Sequence, residues 1–147
     1  MRFARPLAAL LFGAATLASP ALAKDITVQM KNQGTGGAMV FEPSFIQAAP
    51  GDKIHFMPTD MGHNAQPIPA IMPEGVSEPN GAMNKEYVLT VTKPGLYGIK
   101  CLPHFSMGMV ALVKVGKGPS PNAAAAAAAS LPPLAKKRMA PMLASAK

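Results

Sequence analysis

Short alternating segments separated by glycine and proline turns fill most of the chain between residues 25 and 118. Ile26, Val28 and Met30 alternate with polar residues, which is the period of a strand with one buried face. Turn sequences such as Pro50-Gly51-Asp52 separate these segments. Regularly spaced short strands predict an all-β sandwich or barrel. The further predicted strands cover residues 41–48, 53–57, 86–92, 95–100 and 109–115.

Two regions depart from this pattern. Residues 62–85 are rich in proline and predict a long loop with a short helix. After residue 118, Asn122 is predicted to cap a helix over residues 123–129, because alanine has the highest helix propensity. A second helix is expected over residues 134–146, where Pro141 should kink or shorten it. The sequence thus predicts a β domain at 24–118 and a helical extension at 119–147, with partial disorder as the alternative for the alanine-rich tail.

The first 23 residues have the layout of a secretory signal peptide. Arg2 and Arg5 precede an apolar run over residues 7–17, and small residues end the segment at Ala23. A membrane anchor is the less favoured alternative, because the apolar run is too short to span a bilayer comfortably. We expect cleavage after Ala23 and a mature protein in the periplasm, without membrane insertion.

The net positive charge of the chain lies mainly at its two ends. Residues 24–118 contain eight lysines and seven acidic residues, a net charge of only +1. The other basic residues after the signal peptide are Lys136, Lys137, Arg138 and Lys147. With no tryptophan and only two tyrosines, the chain offers few platforms for base stacking. A nucleic-acid-binding module is therefore not expected.

The single cysteine excludes an intrachain disulfide and any metal cage built from several cysteines. Cys101 shares a short loop between two predicted strands with His104 and Met109. A thiolate, an imidazole and a thioether are the soft donors of a trigonal copper site with two histidines, one cysteine and a weak axial methionine. His63, at the end of an earlier strand, offers the second imidazole.

Several alternatives compete with this interpretation. Met107 and Met109 both follow His104 in the same segment and compete for the axial position, so the residues alone leave the axial ligand open. His55 lies in mid-strand between Ile54 and Phe56, and we predict a partly exposed side chain that is not a ligand. Structural zinc sites usually have two or more cysteines. A cysteine hydrolase would need an orienting group that the motif does not supply.

The whole chain after the signal peptide resembles the pseudoazurins, small blue copper proteins with the cupredoxin fold. The segments that carry the resemblance are Gly37-Ala38-Met39-Val40-Phe41-Glu42-Pro43, Gly62-His63-Asn64, residues 87–92, Lys100-Cys101-Leu102-Pro103-His104, Met107-Gly108-Met109 and Ala144-Ser145-Ala146-Lys147. The resemblance implies an eight-stranded Greek-key β-sandwich with a C-terminal helical extension. It also implies one type 1 copper ion bound by His63, Cys101, His104 and Met109.

The resemblance further assigns residues around these ligands. Asn64 is expected to tie the two ligand loops together. The Met39 amide is expected near the Cys101 sulfur, with the Met39 side chain against the His104 ring. Pro103 removes a possible backbone donor near that sulfur.

An apolar face around His104 is the implied contact surface for redox partners. Its expected residues are Met61, Lys100, Phe105 and Met107. Relatives usually surround this face with lysines, whereas Met61, Asn80 and Gln33 are uncharged here.

The implied function is one-electron transfer by a monomeric carrier that is not an enzyme. The expected donor is a protein such as a c-type cytochrome, and the expected acceptor is an enzyme such as nitrite reductase. The alternative is a periplasmic copper chaperone or storage protein, which eleven methionines would suit because thioether sulfur favours Cu(I).

Overall fold

The structure, a computed structural model, describes residues 22–147, so nearly all of the predicted signal peptide lies outside the described residues. Within these residues, eight strands form two four-stranded sheets. The strands are β1 (Asp25–Gly34), β2 (Gly37–Glu42), β3 (Phe45–Ala48), β4 (Lys53–Pro58), β5 (Gln66–Pro67), β6 (Tyr87–Thr90), β7 (Gly95–Lys100) and β8 (Val110–Val115). The predicted all-β, eight-stranded sandwich is confirmed.

The strand order shows how the chain crosses between the sheets. The first sheet has the order β2-β1-β4-β6 and the second β3-β8-β7-β5. β1 runs parallel to β4, and β3 runs parallel to β8. The other neighbouring pairs are antiparallel. The long loop after β4 contains the predicted short helix, a 3₁₀ helix at Pro69–Ile71, and also the two-residue strand β5, which was not predicted.

The main core lies between the two sheets. Alternating residues of β1 and β4 face inward, and Val28, Met30, Ile54 and Phe56 are fully buried. Cys101 and Met109 belong to the same buried cluster. The region that carries the predicted ligands is therefore packed into the hydrophobic core.

The predicted strand over residues 41–48 is wrong, because two strands occupy this stretch. β2 ends at Glu42 and joins the first sheet, whereas β3 begins at Phe45 and joins the second. Pro43 lies between them and has no N–H to donate to a strand ladder. Ser44 accepts a hydrogen bond from the amide of Leu112 on β8 (2.8 Å), which starts the pairing of the second sheet.

The C-terminal extension is helical and packs on the second sheet. It contains α1 (Ala123–Ala128) and α2 (Pro133–Ser145), and α2 buries Ala135, Met139 and Met142. Pro141 lies inside α2 but does not end it. Packing of the buried face of α2, which includes Met142, stabilises the helix beyond the proline. No helix in the described part of the chain is long and apolar enough to cross a membrane.

The predicted side-chain cap at Asn122 is also wrong. The Asn122 side chain makes no capping hydrogen bond to α1. Its Oδ1 accepts from the Leu96 amide (2.8 Å), and its Nδ2 donates to the Leu96 carbonyl (2.8 Å). Asn122 therefore fastens the start of the extension to β7.

Candidate metal centre

Three of the predicted ligand residues converge at one end of the sandwich. His63 Nδ1 lies 3.1 Å from His104 Nδ1. The Cys101 sulfur lies 3.7 Å from His63 Nδ1 and 3.5 Å from His104 Nδ1. His63 and Cys101 are fully buried. These contacts make a compact donor set of two nitrogens and one sulfur.

The strand ends and one tight loop hold these residues in place. Cys101 follows β7 directly, and Met109 directly precedes β8. The Cys101 amide donates to the Met109 carbonyl (3.0 Å), and the Met109 amide donates to the His104 carbonyl (3.1 Å). His63 comes from the loop after β4, where Gly62 has a φ of 92°. The backbone therefore fixes the relative positions of the candidate ligands.

The spacing of the donor atoms fits a trigonal metal site. Bonds of about 2.0 Å to nitrogen and about 2.3 Å to sulfur, with angles of about 120°, would place the two nitrogens about 3.5 Å apart and each nitrogen about 3.7 Å from the sulfur. The observed separations of 3.1, 3.5 and 3.7 Å are close to this arrangement. One soft thiol and two imidazoles match the donors that copper takes in blue copper sites.

Burial and neighbouring charges set the protonation of this cluster. Burial, together with the nearby His104, lowers the pKa of His63, so the neutral imidazole with a free lone pair is favoured. Burial raises the pKa of the Cys101 thiol, while the backbone amides of Asn64 and His104 lower it. A bound cation would stabilise the thiolate in this interior.

Asn32 is a residue of the centre that the sequence analysis did not assign. Its Oδ1 accepts a hydrogen bond from His63 Nε2 (2.9 Å), which directs His63 Nδ1 toward the cluster. The Asn32 amide donates to a carboxylate oxygen of Asp60 (2.6 Å), which holds the end of β1 against the loop that carries His63. No local motif marks this asparagine, because its partner lies 31 residues away.

Asn64 joins the two loops that supply the candidate ligands. Its Oδ1 accepts from the amide of Leu102 (2.9 Å), next to Cys101. Its Nδ2 donates to the carbonyl of Gly81 (3.1 Å). Asn84 adds a further bond, since its Oδ1 accepts from the Gly62 amide (2.6 Å).

The methionines near the cluster differ in burial. Met109 is fully buried, whereas 43% of Met107 is exposed. Burial in the core beside Cys101 favours Met109 as the axial donor. Met39 is partly buried against the same core cluster and has a φ of 51°. Its expected contacts with the Cys101 sulfur and the His104 ring stay predictions.

His104 is the half-buried histidine of the pair, and apolar side chains close in sequence to His63 and His104 are exposed. Leu102 is 54% exposed and Met61, two residues before His63, is 71% exposed. Pro103 is exposed and Phe105 is half-buried. The Lys100 Nζ lies 5.0 Å from the centre of the Phe105 ring.

His55 lies outside this cluster, as its mid-strand position predicted. Its Nδ1 contacts Glu86 Oε1 (2.6 Å) and its Nε2 contacts Asp25 Oδ1 (3.1 Å). About a quarter of the side chain is exposed (26%). Both ring nitrogens are thus engaged by carboxylates.

Known proteins share both the sequence and the fold. Residues 28–116 match the sequence profile of the copper binding proteins, plastocyanin/azurin family. Pseudoazurin of Paracoccus pantotrophus is 51% identical over 137 residues, covering 93% of this chain and 94% of that protein.

Two solved structures agree with this match. The crystal structure of pseudoazurin from Methylobacterium extorquens AM1 superposes with a TM-score of 0.80 at 41% identity, over 84% of this chain and 99% of that one. Pseudoazurin from Hyphomicrobium denitrificans gives a TM-score of 0.77 at 41% identity, over 82% and 97% of the two chains. The chain belongs to the plastocyanin/azurin family of copper-binding proteins and, within it, to the pseudoazurins.

Proposed function

We propose that this protein carries single electrons between other redox proteins through one type 1 copper ion bound by His63, Cys101, His104 and Met109. The observation that carries the proposal is the convergence of two imidazole nitrogens and the one cysteine sulfur, 3.1 to 3.7 Å apart. Copper bound there would supply a couple between Cu(II) and Cu(I) that gains and loses one electron.

The residues of the site are suited to a carrier because they are held in one arrangement. Asn32 orients His63, and Asn64 links the loop of His63 to the amide that follows Cys101. Backbone hydrogen bonds close the loop from Cys101 to Met109. Ligands that are held in place move little when the copper changes between Cu(II) and Cu(I), which keeps the energy cost of electron transfer small. The four proposed ligands would together occupy the coordination positions of the copper, so we propose a carrier that is not an enzyme.

His104 is the proposed port for electrons. Of the two candidate histidine ligands, His63 is fully buried and His104 is half-buried, so only the His104 ring reaches the surface. The apolar residues Met61, Leu102 and Met107 are exposed, and we propose that they form a small contact area around this ring. Brief redox encounters use small interfaces of this kind.

The proposed partners are redox proteins of the periplasm: a c-type cytochrome as donor and nitrite reductase as acceptor. The predicted signal peptide supports this location. The near-neutral charge of residues 24–118 supports a contact that depends more on apolar surface than on electrostatic attraction. We further propose that the mature protein, starting at Lys24, is a monomer.

Stopped-flow mixing with a reduced c-type cytochrome tests the proposed function. The copper-loaded protein should oxidise the cytochrome with one electron per copper, and Cys101→Ser should abolish the reaction. Adding a Cu(I) chelator to the reduced protein tests the alternative function, a copper chaperone or storage protein. Retention of copper together with fast electron transfer supports the carrier. Rapid release of Cu(I) without electron transfer would instead identify a copper chaperone or store.

A further inference from the structure

Arg138 connects the C-terminal helix α2 to the turn before β2, to the start of β2, and to the loop that carries the candidate ligand Met109. Its Nη1 donates to the carbonyls of Met39 (2.8 Å) and Gly108 (3.1 Å). Its Nη2 donates to the carbonyls of Ala38 (2.9 Å) and Gly36 (3.5 Å). One guanidinium therefore binds four backbone carbonyls, and Gly108 directly precedes the candidate ligand Met109.

These contacts do not belong to a salt bridge. Among residues 22–147, no carboxylate lies within 4.0 Å of the Arg138 guanidinium. The neighbouring Lys136 and Lys137 are exposed, whereas Arg138 is half-buried. The planar fork of arginine has five N–H donors and can bind four carbonyls at once, whereas the ammonium of lysine has only three donors on a single nitrogen. The contact is specific to this side chain rather than to the positive charge of the tail.

Each of the two segments that Arg138 binds contains a residue with a positive φ. Met39 has a φ of 51°, a left-handed conformation that is unfavourable for a residue with a β-carbon. Gly108 has a φ of 84°. A β-carbon on Gly108 would lie 3.0 Å from the Leu134 carbonyl oxygen and 3.1 Å from Arg138 Cδ, so α2 lies directly against the ligand loop. Hydrogen bonds from Arg138 hold the carbonyls of both positions.

We propose that Arg138 is a positioning residue of the copper centre, which sets the placement of Met109 and Met39 relative to Cys101 and His104. This inference rests on the proposed function. A thioether is a weak and distant axial donor, so a small displacement of its loop changes the electronic structure and the reduction potential of the site. The C-terminal extension would then act on redox properties although it supplies no ligand.

Arg138→Lys and Arg138→Met test the proposal, with Lys137→Met as a matched control on the same helix. Each copper-loaded variant is compared with the wild type by visible absorption, electron paramagnetic resonance and redox titration. Both Arg138 variants should change the ratio of the thiolate-to-copper absorption bands and shift the potential, whereas Lys137→Met should change neither. Loss of these hydrogen bonds should also speed amide hydrogen exchange at Met109 by about fivefold in the metal-free protein.

A purely structural role predicts a different result. In that case Arg138→Lys would lower the unfolding temperature but keep the wild-type spectrum and potential, which would overturn the proposal. Should Arg138→Met fail to fold, Arg138→Lys keeps the positive charge and the aliphatic stem and decides the question. A wild-type protein without a thiolate-to-copper band would refute the proposed function itself, which is a separate outcome.

Discussion

Asn32 Oδ1 accepts a hydrogen bond of 2.9 Å from Nε2 of the buried His63. The bond places the proton of the neutral imidazole on Nε2 and leaves the Nδ1 lone pair directed at Cys101 and His104. Because burial lowers the pKa of His63, this neutral tautomer is already present at neutral pH without a metal. The centre is thus prepared for a cation before one binds.

Asn32→Leu should weaken copper binding by about 10- to 100-fold, because His63 loses the partner that fixes its tautomer and ring orientation. Competition with a chelator of known affinity measures the effect. Gln33→Leu, a change at the adjacent exposed residue, is the control and should leave affinity unchanged. Equal affinities for the two variants would mean that Asn32 does not orient the ligand.

Met109→Leu should leave copper bound but raise the reduction potential. Although thioether sulfur is a soft donor, Cu(II) prefers a higher coordination number than Cu(I), so loss of a fourth ligand destabilises the oxidised form more than the reduced form. The expected increase is about 60 mV or more, which corresponds to a tenfold change for a one-electron couple. Met107→Leu is the control, because Met107 is 43% exposed. A larger shift for Met107→Leu would assign the axial position to Met107.

Met61→Lys should make electron transfer more sensitive to salt. In the wild type we expect the rate with an acidic cytochrome to fall by less than about threefold between about 0.05 M and about 0.5 M salt. A lysine at this 71% exposed position should raise the low-salt rate and steepen the dependence. Ala124→Lys, an exposed change on α1, should do neither. A steep dependence in the wild type would show that its few lysines already guide the partner.

His55 should stabilise the fold more at acidic than at alkaline pH. Hydrogen bonds from its ring to Glu86 and Asp25 raise the pKa of His55 above its ordinary value of 6.5. The charged form is therefore favoured by folding. Its contribution is complete below the unfolded pKa and is lost as pH rises through the higher folded pKa.

The measurement is the difference in unfolding free energy between the wild type and His55→Gln at about pH 5.5 and about pH 8.5. The advantage of the wild type should be larger at the lower pH, by no more than about 1 kcal/mol because the pair is near the surface. A larger advantage at alkaline pH would contradict the assigned contacts.

Local patterns predicted much of the fold. Alternation of polar and apolar residues predicted β1 and β4 correctly, because one face of each strand packs into the core. The loop from Cys101 to Met109 was recognisable because its donors lie within nine residues of one another. Features that depend on residues close together in the sequence can be predicted from local patterns of this kind.

Contacts between distant residues were not predictable in this way. Arg138 binds the Met39 carbonyl across 99 residues, and Asn122 binds Leu96 across 26. Their side chains satisfy backbone groups that only the folded chain brings near. An asparagine can cap a helix or bind the backbone of another segment, so its residue type alone suggested a cap. Only the packing of α1 on the second sheet shows that Asn122 binds the Leu96 backbone instead.

Titration of the purified mature protein with Cu(II) tests the central claim most directly. Visible absorption and electron paramagnetic resonance should show one copper per chain with an intense thiolate-to-copper band. The band should bleach on reduction, return on oxidation and be absent in Cys101→Ser. Copper that binds without this band, or binds only as Cu(I), would contradict a type 1 site at Cys101 and with it the role in electron transfer.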